Sequence, residues 1–246
     1  MKKWWNKLER LLDGMSYRKK IACNLTLCAV MALLIWTQFG CPLPTAELEF
    51  RRMERTHLLP RSEIVFATGE KSRDLMSVSG QDQSVYALDG TEFHLRRGPW
   101  IAGLGEEHAV LAYTDRESWN RDLSVVPLDR EGATMLAFPA GYGYWVTQGP
   151  GETPEGDPAY VYNYHNFFPL LVVDVPVETA RAEITVSKDG MSVTGPGWNM
   201  GKHVWLMTPD NQVLPYQTSS EETYTLRLYR EDGSLLLEKS GILGEG

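Results

Sequence analysis

"YTLRLYREDGSLLLEKS", residues 224–240, decides how the chain is read. Apolar and polar residues alternate from Tyr224 to Arg230, and an apolar run resumes after Ser234. Between them stands Glu231-Asp232-Gly233. A period of two puts alternate side chains on opposite faces of a strand, and Asp-Gly supplies the positive φ that a tight reversal needs. The stretch therefore predicts a β-hairpin.

The pattern repeats toward the N-terminus. "RAEITVS" (181–187), "MSVTG" (191–195) and "HVWLM" (203–207) read as further short strands, with Asp189-Gly190 as a second hairpin turn. The spacing predicts a small β-sandwich over 173–246. In pattern alone this segment resembles an immunoglobulin-like or fibronectin-type module, but the hallmark cysteines are missing. Upstream, "EIVFA", "SVYALDG", "TEFHL", "AVLAYT", "LSVVPL", "TMLAFP" and "YGYWVT" carry the same texture back to Glu63, with a third turn at Asp89-Gly90. Residues 61–172 are thus expected to form a β-rich domain, with the boundary near "VVDVP" (172–176). "GPGETPEGDP", residues 149–158, reads as an exposed, mobile loop.

Residues 41–60 join this β region to something different. Pro42 and Pro44 break any preceding helix, Thr45 suits an N-cap, and Ala46, Phe50, Met53 and His57 make a helical stripe. A short amphipathic helix is expected, packing on the outer domain or on a second copy as a homo-oligomer contact. His57 is expected to be a packed residue.

Ahead of it lies "IACNLTLCAVMALLIWTQFG", residues 21–40, with no Asp, Glu, Lys or Arg. Twenty helical residues span about 30 Å, the hydrocarbon thickness of a bilayer. A cleaved signal peptide has a shorter apolar run and a small-x-small site, which Gln38-Phe39-Gly40 matches poorly. A lipoprotein Cys41 would want a Leu-like residue at position 38, which is Gln. An uncleaved transmembrane helix is expected. Residues 1–20 hold seven Lys and Arg against two acidic residues, while the whole chain is at −8. By the positive-inside bias the N-terminus is cytoplasmic and the bulk of the chain extracytoplasmic. Trp5, Leu8, Leu12 and Met15 recur at helical spacing, so the head reads as a basic amphipathic segment on an anionic leaflet. The fold class is thus an all-β extracytoplasmic region preceded by a transmembrane helix and short amphipathic helices, in a bacterial cell membrane.

The composition argues against several chemistries. All three cysteines, Cys23, Cys28 and Cys41, lie in or beside the membrane segment, so the outer region has neither a disulfide nor a thiol nucleophile. His57, His94, His108, His165 and His203 are not spaced as metal ligands. No nucleophile elbow, zinc helix, phosphate loop or dinucleotide fingerprint occurs. No catalytic residue, metal or cofactor is assigned. An acidic outer region repels a phosphate backbone, so no nucleic acid is expected as a partner.

One stretch stands apart. "YVYNYHNFF", residues 160–168, holds five aromatic rings and a histidine. In a strand Tyr160, Tyr162 and Tyr164 share a face opposite His165, and Tyr142 and Tyr144 alternate likewise opposite Trp145. Paired across 149–158, these tyrosines make a ladder. Two readings compete. The ladder is a platform for cell-wall glycan or a Pro-rich peptide of a protein partner, or the rings are core, as the apolar "FFPLLVVDVP" that follows favours. The candidate ligand-binding residues are Tyr142, Tyr144, Trp145, Tyr160, Tyr162, Tyr164 and His165. The expected role is non-catalytic binding, sensing or scaffolding. The alternatives are an anchored enzyme acting on cell-wall glycan or peptide, and an accessory subunit of a membrane complex.

Overall fold

The computed structural model describes residues 16–38, 43, 45–68, 83–95, 98–114, 121–138, 143–152, 158–210 and 222–243. The head (1–15), Cys41 and Tyr142 lie outside them. The chain divides into two compact units, Met1–Pro42 and Leu43–Gly246.

The first unit holds helix α1, Tyr17–Gln38. It starts four residues before the predicted 21, because the backbone bonds from Lys19 and Lys20 to the Ser16 carbonyl extend it through the basic residues. Its stretch Tyr17–Trp36 is long and apolar enough to cross a membrane. Leu25 and Leu33 are 66% and 63% exposed. Such a surface is unfavourable in water and calls for lipid or another apolar cover.

The second unit is β-rich, as its alternating sequence predicts. Helix α2, Ala46–Thr56, opens it. Thr45 caps it by accepting from the Leu48 N–H at 3.2 Å. Among the described residues fifteen strands follow: β1 Glu63–Ala67, β2 Gln83–Tyr86, β3 Glu92–Leu95, β4 Trp100–Leu104, β5 His108–Thr114, β6 Arg121–Pro127, β7 Thr134–Ala137, β8 Gly143–Glu152, β9 Pro158–Phe167, β10 Leu170–Val173, β11 Arg181–Lys188, β12 Met191–Gly201, β13 Val204–Met207, β14 Glu222–Tyr229 and β15 Leu235–Leu243. They form three antiparallel sheets, in the orders β1-β4-β5-β6, β2-β3-β8-β9 and β15-β14-β11-β12-β13-β10-β7. All three Asp-Gly pairs turn hairpins. At the second, Asp189 and Gly190 both take positive φ (51° and 79°), the geometry of a type I′ turn.

The seven-stranded sheet folds back on itself at β12. Residues Met191–Pro196 pair with β11, whereas Gly197–Gly201 pair with β13. Gly195-Pro196-Gly197 is the corner. Thr208 closes it, its N–H donating to the Pro196 carbonyl at 3.0 Å and its hydroxyl to the same oxygen at 3.1 Å. A Cβ on Gly195 would sit 2.4 Å from the Thr208 carbonyl oxygen. Backbone is not free to move aside, so Gly195→Ala is expected to cost about 3 kcal/mol. A fall in the urea midpoint at unchanged slope is the measurement.

The fold at β12 encloses a core between β11–β14 on one side and β10–β13 on the other, built on Ile184, Val186, Leu226, Leu228, Trp205 and Met207. This is a β-sandwich. The predicted boundary at 173 falls at the end of β10, and strands from both sides of it, β7 and β10 with β11–β15, share this sheet. The opposite faces of β10 and β13 supply Leu171, Val173, Val204 and Leu206 to a second core, where all three sheets meet around Phe93, Trp100 and Phe138. Strands β10 and β13 are therefore buried on both faces, which explains the unbroken apolar run at 170–173.

Helix α2 lies on the outer face of the β1-β4-β5-β6 sheet. The predicted stripe Ala46, Phe50 and Met53 is buried there against Ile101, Val110 and Ala112. That apolar face is thus covered by the chain's own sheet. His57 departs from expectation. It is the exposed C-cap, its Nδ1 2.9 Å from the Met53 carbonyl, because the helix has ended before the stripe returns to the sheet. Two buried carboxylates fix the helix. Glu49 pairs with Arg121 of β6 at 3.0 Å, and Glu54 pairs with Arg51 at 2.7 Å.

Candidate functional site

The β2-β3-β8-β9 sheet carries the residues singled out in sequence. Strands β8 and β9 pair over ten residues each, from Gly143–Phe167 to Glu152–Pro158. Half of the predicted loop at 149–158 is therefore strand. Residues 149–152 and Pro158 belong to the strands, and 153–157 lie outside the described residues. Extended backbone tolerates glycine and edge proline when the partner register is kept, so turn composition misled here. From Val146 outward the hairpin runs about 23 Å at roughly 3.3 Å per residue.

Register fixes the faces. Tyr144 lies opposite Asn166, Val146 opposite Tyr164, Gln148 opposite Tyr162 and Pro150 opposite Tyr160. Tyr144 also lies opposite His94 of β3, which lies opposite Ser84 of β2, and Glu92 lies opposite Tyr86. All twelve residues share one face. Tyr160, Tyr162 and Tyr164 are 73%, 59% and 63% exposed. The reading of "YVYNYHNFF" as core is overturned for these three rings. Core begins only at Phe167, which is 1% exposed.

Rings touch across the face. His94 stacks on Tyr144 with centroids 4.7 Å apart and planes 16° from parallel. Tyr144 in turn meets Tyr164 at 5.8 Å. At the β2–β3 end the Glu92 carboxylate accepts from the Ser84 hydroxyl at 2.8 Å and from the Tyr86 hydroxyl at 3.1 Å. His94 Nε2 is 3.8 Å from the same oxygen, and its Nδ1 is 3.4 Å from Ser84 Oγ. A Ser, His and Glu together invite a nucleophilic reading, but the geometry is not a relay. The serine proton points to the carboxylate, and His94 does not stand between the two.

Trp145 and His165 are candidates that the structure puts on the opposite face. They stack at 4.2 Å, and Thr147 Oγ1 lies 3.0 Å from His165 Nε2. Trp145 packs inward on Phe93 and Trp198. It supports the sheet from below while the tyrosines stand above. Sequence reasoning missed Ser84, Tyr86, Glu92 and His94. The alternation around Asp89-Gly90 already places these four on one face of a hairpin. That this hairpin lies beside β8 is a pairing across some fifty residues, which alternation does not encode.

Away from this face, a concavity of about 590 Å³ lies between β6, β7 and the β14–β15 hairpin. Lys239 meets Asp129 there at 2.7 Å. That hydrogen bond first, and then one from the Glu131 N–H, hold the Asp129 carboxyl below its usual range. Burial, and then the charge of Asp129, push the Tyr224 hydroxyl up. Asp129 and Lys239 satisfy each other there. No group of three or more His, Cys, Asp and Glu able to hold a metal occurs among the described residues.

Compared with known proteins, the chain matches no family model, and no curated protein or solved structure matches it either.

Proposed function

We propose that this chain is a single-pass binding protein of a bacterial cell membrane, with its N-terminus in the cytoplasm and its β-domain outside. The tyrosine face of the β2-β3-β8-β9 sheet is its recognition surface. The apolar α1 and the basic residues on its N-terminal side support the topology. One observation carries the site: three tyrosines in a row on β9 stand more than half exposed. Contiguous exposed rings on a soluble domain mark contact surfaces, because leaving them in water is unfavourable.

The role is non-catalytic recognition. It is favoured over an anchored hydrolase by the arrangement of Ser84, Glu92 and His94, which satisfy one another without a proton relay. Topology is tested with protease added to intact spheroplasts. The expected result is loss of the β-domain and survival of a small membrane-bound fragment. A full-length chain that resists until the membrane is permeabilised would reverse the orientation and remove the cell-surface role.

A further inference from the structure

We infer that the tyrosine face takes the interior of a neutral glycan chain. This rests on the recognition-surface reading above and names its ligand class. The first observation is charge. None of the twelve residues named on this face is a Lys or Arg, and those of them that ionise besides the tyrosines are Glu92 and His94. Phosphates, nucleic acids and acidic polymers are gripped by Arg and Lys, so an anionic ligand finds no counter-charge among these twelve residues. Glu92 would repel it.

The second observation is the continuity of the rings. Tyr164, Tyr144 and His94 touch in sequence from β9 across β8 to β3, and Tyr162 and Tyr160 extend the row along β9. Same-face residues of a strand recur about every 6.6 Å. A chain lying along β9 therefore meets ring after ring. The faces of pyranose rings carry C–H groups, which pack on the electron-rich face of an aromatic ring.

The third is the polar end. Glu92 is held in place by the hydroxyls of Ser84 and Tyr86 and presents a fixed acceptor to solvent. Exposed Gln148 and half-buried Asn166 add amides to the same face. A sugar's hydroxyls need acceptors and donors placed beside a stacking surface, and this face offers both. The surface is open along the strand rather than closed into a pocket, so it fits the middle of a polymer and not its terminus.

The test uses the full-length chain in nanodiscs. Titration with the N-acetylglucosamine hexamer and the glucose hexamer, followed by calorimetry, is expected to give saturable binding of at least one of them. Tyr162→Ala and Tyr164→Ala are each expected to weaken it about tenfold or more, with unfolding midpoints unchanged because both rings are exposed. Affinity is expected to hold between 50 and 500 mM salt, since a neutral ligand releases no counterions. If both hexamers fail while a synthetic proline-rich decapeptide or an anionic teichoic polymer binds in a Tyr162-dependent way, the glycan inference is overturned and the recognition surface stands. If none of these binds, and hydroxyl-radical labelling of Tyr160, Tyr162 and Tyr164 is unaltered by whole cell-wall fragments, both are overturned.

Discussion

Glu54→Ala is expected to lower the stability of the β-domain by about 3 kcal/mol, the cost of removing one partner from a buried ionic cluster. Glu54 is 2% exposed on the inner side of α2. Its carboxylate accepts from the Ser62 N–H at 2.9 Å, the Ser62 hydroxyl at 2.5 Å and Arg51 at 2.7 Å. Alanine leaves the Ser62 N–H and hydroxyl without this acceptor and Arg51 with the Ser62 carbonyl but no counter-charge from Glu54, and a donor stranded in a dry site loses its full solvation. Burial by itself would raise this carboxyl. The Ser62 and Arg51 hydrogen bonds outweigh it, and the group sits below its ordinary value of 4.5. A lowered folded value means that the unfolded chain takes up the proton first. The stabilisation is therefore complete above about pH 4.5 and is lost as pH falls through the lowered value. Urea unfolding across pH 3–7 is the check. The difference between the wild type and Glu54→Gln is expected to shrink toward the acid end. A difference that stays constant with pH would show that the carboxylate charge does not act here.

Phe93→Ala is expected to cost more, about 3–5 kcal/mol, the range for deleting a buried aromatic ring. Phe93 is fully buried and touches Phe167, Trp145 and Trp198, with centroids 5.9, 6.3 and 5.3 Å away. Those partners come from β9, β8 and β12, so this one ring ties the tyrosine-bearing sheet to the corner strand of the sandwich. The variant separates support from contact. Phe93→Ala is expected to lower the thermal midpoint and to broaden the near-ultraviolet signal of Trp145 and Trp198. Tyr162→Ala, on the outer side of the same sheet, is expected to leave both unchanged. Equal losses from the two substitutions would mean that the tyrosine row is part of the packing.

Much of this was legible in local pattern. The uncharged twenty-residue run between a basic head and an acidic body marks α1 without any tertiary information, because length and charge alone decide whether a helix suits a bilayer. Alternation and Asp-Gly turns mark the hairpins at 89–90, 189–190 and 232–233, because strand faces and positive φ are properties of neighbouring residues. Thr45 and the 46–53 stripe mark α2 for the same reason.

Other features depended on distant residues. Whether Tyr160, Tyr162 and Tyr164 are core or surface turns on whether another layer covers that face of β9, and a strand's own sequence does not say. The pairing of β3 with β8, which brings Glu92 and His94 to the tyrosines, joins segments some fifty residues apart. The folding of the last sheet at Gly195-Pro196-Gly197 uses β7 and β10 from well upstream to complete the sandwich. Sequence alone set the apolar helix, the strands and which residues share a strand face. Tertiary structure decided which of those faces meet one another and which meet water, because burial is a property of the partner as much as of the strand.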